Sequence, residues 1–214
     1  MSARTTDSDL WVFGYCSLMW KPGFAFEEKH RAVLTGFHRA LCIYSVHYRG
    51  SPEFPGLVFG LAAGGCCEGM AFRVPAGAVA ETVAYLRDRE QVTGVYRAEM
   101  RLVRLTAPGH RQVRALTFIA NPTARQYAGQ LPAATQMRIV RASRGSSGPN
   151  AEYVRNTAAH LRELGVRDRK IEQVVAMLGP AGRGGALLPY PRHLAPRLPG
   201  DRALRSGYQR NIRL

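Results

Sequence analysis

Hydrophobic and polar positions along the chain alternate with two different periods, and the periods predict its elements. Leu10–Phe13 is a short apolar run stopped at Gly14, the pattern of a buried strand ending in a turn. Apolar and β-forming residues run from about Leu34 to Val46, after which Gly50-Ser51-Pro52 and Pro55-Gly56 mark a loop. Gly69–Val74 reads as a strand stopped by Pro75. Tyr96–Leu102 alternates cleanly, predicting Tyr96, Ala98, Met100 and Leu102 towards a core and Arg97, Glu99 and Arg101 towards water. Pro108-Gly109 then turns the chain into Val113–Ile119, a hairpin. A strong helix is expected from Gly77 to about Val92, with further helical patterns from Thr123 to Arg141 and from Ala151 to Leu178. Strands crowded into the first half with helices between them indicate an α+β domain, a mixed sheet curled towards a barrel with flanking helices.

This frame spans 10–178. Residues 1–9 are expected to be a disordered N-terminus, polar and without the basic start and apolar stretch of a secretory signal. Residues 179–214 change to glycine, proline and arginine with little periodicity, the composition of a flexible basic tail.

Composition narrows the chemistry. The 214 residues are 46% hydrophobic and 21% charged, ordinary for one globular domain with an appended tail. No apolar stretch approaches the ~18 residues a membrane span needs, so a cytoplasmic protein without membrane contact is expected. The four cysteines, at 16, 42, 66 and 67, form no C-x-x-C pair and lie near no histidines at a zinc-site spacing, so no metal is expected. Cys66 and Cys67 are strand neighbours pointing to opposite faces, which argues for free thiols and a reducing compartment. A net charge of +15, almost all of it arginine, favours anionic partners without choosing among small acids, polymers and surfaces.

Three segments carry candidate chemistry. In the helix GAVAETVAYLRDREQVTG, Val79, Val83, Leu86 and Glu90 fall at nearly one angle, so an acid sits in the apolar stripe, while Glu81 and Asp88 lie opposite. Glu90 either reaches solvent from the last turn, pairs with an arginine, or lodges in a partly dry cleft. In the last case desolvation raises its pKa and makes it a competent proton shuttle. The strand LWVFGYCSLMW ends in Gly14-Tyr15-Cys16-Ser17, a turn that can aim backbone N–H groups at a carboxylate or oxyanion. In SSGPNAEYV, Asn150 is placed to cap a helix starting at Ala151, with Tyr153 in its first turn.

In this order the segments resemble the ChaC family of γ-glutamylcyclotransferases. Val12-Phe13-Gly14-Tyr15-Cys16-Ser17-Leu18-Met19-Trp20 is similar to VFGYGSLxW, and Gly36-Phe37-His38-Arg39-Ala40-Leu41-Cys42 to GxHRAxC. Arg49-Gly50 through Pro55-Gly56 resembles RGxxxxPG, and Arg89-Glu90-Gln91-Val92-Thr93-Gly94-Val95-Tyr96 resembles REMITGCY. Ser147–Tyr153 is similar to SGPxxNAxYL with a shorter spacing. The resemblance implies a γ-glutamylcyclotransferase-like barrel and a lyase that cleaves glutathione to 5-oxoproline and cysteinylglycine without a cofactor. It further implies Glu90 as general acid/base, with Val12, Phe13, Gly14, Tyr15, Cys16, Ser17 and Leu18 holding the glutamyl group and Tyr153, with Arg39, adding contacts. Glutathione is then the expected partner, with no nucleic acid, and the enzyme is expected to be a monomer. Another γ-glutamyl compound as substrate, and a γ-glutamyl-binding protein impaired by Cys16, are the alternatives. Cys16 replaces the motif's second glycine, and a left-handed backbone there would cost a side chain roughly 1–2 kcal/mol.

Overall fold

The computed structural model describes residues 8–90 and 94–179 of the chain. The segments 1–7, 91–93 and 180–214 lie outside them, and with them most of the expected N-terminus and tail. Five strands close into a barrel in the order β1-β3-β2-β4-β5. They are β1 (Leu10–Gly14), β2 (Glu28–Ser45), β3 (Gly56–Val74), β4 (Tyr96–Leu105) and β5 (Gln112–Ala120). Four helices accompany them: α1 (Val79–Glu90), α2 (Ala133–Ala142), α3 (Asn150–Glu163) and α4 (Arg169–Leu178). None of the described helices is long and apolar enough to cross a membrane.

The described chain forms two compact units, 8–39 with 61–121 and 40–60 with 122–179, and β2 and β3 run on from the first into the second. In the first unit β1 lies antiparallel to β3, with Phe13 opposite Ala71, and parallel to β5, with Trp11 opposite Ala115. Trp11, Phe13, Leu34, Leu61, Ala71 and Ala115 make one apolar cluster, which fills the barrel. Alternation sends Val12 to the other face, where it joins Leu18, Val74, Val79, Leu86 and Phe118 beneath α1.

Gly36 re-phases β2. Ala32 and Leu34 belong to the interior cluster, but Gly36 sits at φ +89°, and beyond it the odd positions turn inward: Phe37 packs on that cluster and Arg39 is buried. Only glycine adopts this backbone freely. The β2–β4 ladder runs from Ala32–Leu105 to Leu34–Val103, just before this break.

In the second unit α2, α3 and α4 pack on one another, burying Ile139, Val154, Leu161 and Ile171. Asn150 starts α3 rather than capping it; Pro149 is the N-cap residue. The Asn150 amide reaches across to Leu57, accepting from its N–H at 2.7 Å and donating to its carbonyl at 2.7 Å. A Cβ on Gly50 would stand 2.1 Å from the Gly56 nitrogen, and one on Gly56 2.1 Å from the Arg49 carbonyl oxygen. The Arg49-Gly50 … Pro55-Gly56 motif is thus explained by chain crossing itself at backbone contact.

Other expectations need correction. Met100 and Leu102 are exposed, Ala98 with them, and Val103 and Leu105 are buried instead, whereas Tyr96 packs on the cluster under α1 and Arg97 and Arg101 are exposed, so the alternation expected of β4 holds only in part. The helix expected from Thr123 begins only at Ala133, after Pro132. The pattern 151–178 is two helices, broken where Gly165 takes φ +68°. Cys66 is exposed and Cys67 buried, on opposite faces as expected, and none of the four cysteines is in a disulfide.

Candidate active site

Three elements of the first unit converge on the turn after β1. At Gly14 the chain folds back so tightly that a Cβ would lie 2.8 Å from that of Leu18. Opposite, a Cβ on Gly69 would lie 2.4 Å from the Gly14 carbonyl oxygen. Ser17–Met19 then forms a 3-10 turn, closed by the Met19 N–H donating to the Cys16 carbonyl at 2.7 Å. The N–H groups of Ser17 and Leu18 precede that bond, and a helical turn offers its first N–H groups no internal acceptor.

Side chains fix this turn from both faces of the barrel wall. Leu18 is buried in the cluster under α1, whereas Tyr15 and Cys16 pack on the interior cluster. Val12 and Phe13 are wholly buried and their strand is paired on both edges, so their side chains serve packing. Arg39, 2% exposed, donates through Nε to the Tyr15 carbonyl at 2.5 Å and through Nη2 to the Glu68 carbonyl at 2.6 Å. Cys16 has φ −137° and ψ −125°. The left-handed strain considered for this position does not arise, and a side chain is accommodated.

Glu90 ends α1 on the stripe that buries Val79 and Leu86, and its side chain is 17% exposed. Burial pushes its carboxyl above the usual carboxylate range, and the neighbouring Arg89 offsets part of the rise. Glu81 and Asp88 are exposed on the opposite side. Of the alternatives open at Glu90, the structure combines two: a poorly hydrated site and an arginine partner, with Arg89 Nε 3.2 Å from Oε1.

Arg89 links that carboxyl to the turn. Its Nη2 donates to Ser17 Oγ at 2.9 Å, and its Nη1 donates to the Lys21 carbonyl at 3.0 Å and to Tyr85 Oη at 2.7 Å. One guanidinium therefore bridges Glu90, the 3-10 turn and the segment after it, the rigid fork geometry that arginine alone provides. Sequence reasoning missed this role, although Arg89 adjoins Glu90 in the helix. Tyr153 belongs to the second unit. There its Oη accepts from the Phe59 N–H at 3.3 Å, and the Arg49 guanidinium lies 5.3 Å over its ring.

A closed mixed barrel with a buried acid beside a glycine turn defines a γ-glutamylcyclotransferase-type fold. The crystal structure of a γ-glutamyl cyclotransferase specific to glutathione from yeast superposes with a TM-score of 0.72 at 20% identity, covering 80% of this chain and 96% of that one. The family model described as ChaC-like protein matches residues 10–180, and the chain belongs to that family. It is 32% identical over 168 residues to the glutathione-specific γ-glutamylcyclotransferase of Escherichia coli (strain K12), covering 78% of this chain and 72% of that protein. It is also 32% identical over 175 residues to the human glutathione-specific γ-glutamylcyclotransferase 1, covering 79% and 78%.

Proposed function

We propose that this protein is a lyase that cleaves glutathione to 5-oxoproline and cysteinylglycine, with Glu90 as its general acid/base. The buried Glu90 carboxyl, joined through Arg89 to the Gly14–Leu18 turn, carries the reading. The glutamyl group of the substrate sits on that turn, held by the N–H groups of Ser17 and Leu18. Ionised Glu90 takes one proton from the substrate's α-ammonium. The freed amine attacks the γ-carbonyl carbon and closes a five-membered lactam. As the amide C–N bond breaks, Glu90 returns the proton to the departing amine of cysteinylglycine, and the second proton, shed by the attacking nitrogen as it becomes the lactam N–H, passes to the same amine, which leaves as an ammonium.

A carboxyl of raised pKa suits both halves of this relay, because it lies closer to the ammonium it deprotonates. The substrate supplies its own nucleophile, so the reaction calls for no cofactor. Positioning the folded glutamyl chain supplies much of the rate. The span of the family match, 10–180, supports 10–178 as the catalytic region. Four cysteines held as thiols support a reducing, cytoplasmic setting.

The purified protein incubated with glutathione is expected to release 5-oxoproline, and Glu90→Gln to lose at least ~10²-fold in kcat. Equal turnover by parent and variant would remove Glu90 from the mechanism. Release of 5-oxoproline from other γ-glutamyl amino acids but not from glutathione would reassign the substrate.

A further inference from the structure

Three charged residues occupy the inward row of β4. Along that strand Val103 and Leu105 belong to the interior cluster, and a period of two carries the same face to Arg101, Glu99 and Arg97. Their β5 partners are Ala115, Thr117 and Ile119, at 0%, 0% and 3% exposure, so the row continues the inner face of the sheet, although the Arg97 and Arg101 side chains themselves reach solvent at 53% and 43% exposure. It lies beyond the last β2–β4 pair, where Gly36 has broken the ladder.

The charges form one cluster. Glu99 pairs with Arg101 and stands 3.8 Å from Arg97, and it is the least exposed of the three at 25%. The Arg101 guanidinium lies 5.2 Å over the ring of Phe37, which packs on the interior cluster as Cys16 does. Two guanidiniums sharing one carboxylate leave one positive charge in excess. A charge held against an aromatic face beside an apolar interior is a place for a small anion.

Its distance from the turn matches the substrate. Thr117 Oγ1 donates to the Phe13 carbonyl at 3.1 Å, and Phe13 immediately precedes Gly14. Thr117 is also the ladder partner of Glu99. Glu99 therefore stands two strand spacings, roughly 10 Å, from the end of β1. An extended tripeptide reaches about as far.

Resting on the cyclotransferase reading, we propose that Arg97 and Arg101 form a carboxylate-binding subsite. It holds the free α-carboxylate at the leaving end of the substrate while the glutamyl end occupies the turn. Glu99 orients both guanidiniums and weakens the site by its own charge. The subsite selects γ-glutamyl compounds whose leaving amine carries a terminal carboxylate about one dipeptide away.

The test compares glutathione with its glycine monoethyl ester, using 5-oxoproline release as the readout. The parent is expected to favour the free acid by about tenfold in kcat/KM, expressed in KM. Arg101→Gln is expected to abolish that preference by raising KM for the acid alone. Glu99→Gln is expected to lower KM for the acid and leave the ester unchanged, a direction that loss of structure would not produce. Arg104→Gln, which removes a charge from the outer face of the same strand, is expected to leave both substrates as in the parent. Equal use of acid and ester by the parent, or an equal loss on both in Arg101→Gln, overturns the subsite. A parent that releases no 5-oxoproline from either overturns the cyclotransferase reading itself, and the subsite with it.

Discussion

Glu90 contributes to stability with a sign opposite to that of most surface carboxylates. Burial raises its folded-state pKa above the unfolded value of about 4.3, so the folded protein binds the proton more tightly than the unfolded chain. Stability attributable to this group is therefore full below pH ~4 and is lost as pH rises through the raised value. Glu90→Gln removes that loss. It is expected to melt above the parent at pH ~7.5 and together with it at pH ~4, measured by thermal denaturation. A gain of equal size at both pH values would show that ionisation of Glu90 carries no cost. Arg89 moderates the effect, which leaves a carboxyl that is poorly hydrated yet still able to ionise. Cys42 shows burial outweighing its opponents: its thiol is pushed up to about 12 even though backbone hydrogen bonds, that of Gly60 first, pull the other way.

Among the elements, the start of α3 depends on one amide. Asn150 is fully buried and satisfies both backbone groups of Leu57, acting as a piece of strand supplied by a side chain. Asn150→Ala strands a buried donor and a buried acceptor, each costing about 1–3 kcal/mol. A lowered urea midpoint with unchanged slope is the expected result. An unaltered midpoint would show that water replaces the amide. The capping role read from the sequence was wrong because an Asn before a helical pattern has the same signature whether it caps or reaches elsewhere. At Ala98, Met100 and Leu102 of β4 the reading failed for a similar reason, since alternation shows that a strand has two faces without saying how deeply each is covered. The long β2 and β3 were only partly legible, because glycines such as Gly64 and Gly65 and the charged run at Glu28–Arg31 hide a strand whose partners are remote in sequence.

For the whole molecule, charge is the property read most directly. With 30 lysines and arginines against 15 acids, the protein attracts an anionic substrate over a distance set by salt. Raising ionic strength from roughly 10 mM to roughly 150 mM shortens the screening length from about 30 to about 8 Å. The kcat/KM for glutathione is expected to fall severalfold over this range with kcat unchanged, as followed by 5-oxoproline release. A flat response would confine the useful charge to the site. The sequence by itself determined the β1 strand and its glycine turn, the β4–β5 hairpin, the amphipathic α1 and the acid in its stripe, because each depends on neighbours within a few residues. Only the tertiary structure decided that Arg89 joins Glu90 to Ser17, that Arg39 holds the Tyr15 carbonyl, and that the charged row of β4 continues the face of Val103 and Leu105. Those contacts join residues 72 and 24 positions apart, or depend on how a barrel closes, and local periodicity carries no information at that range.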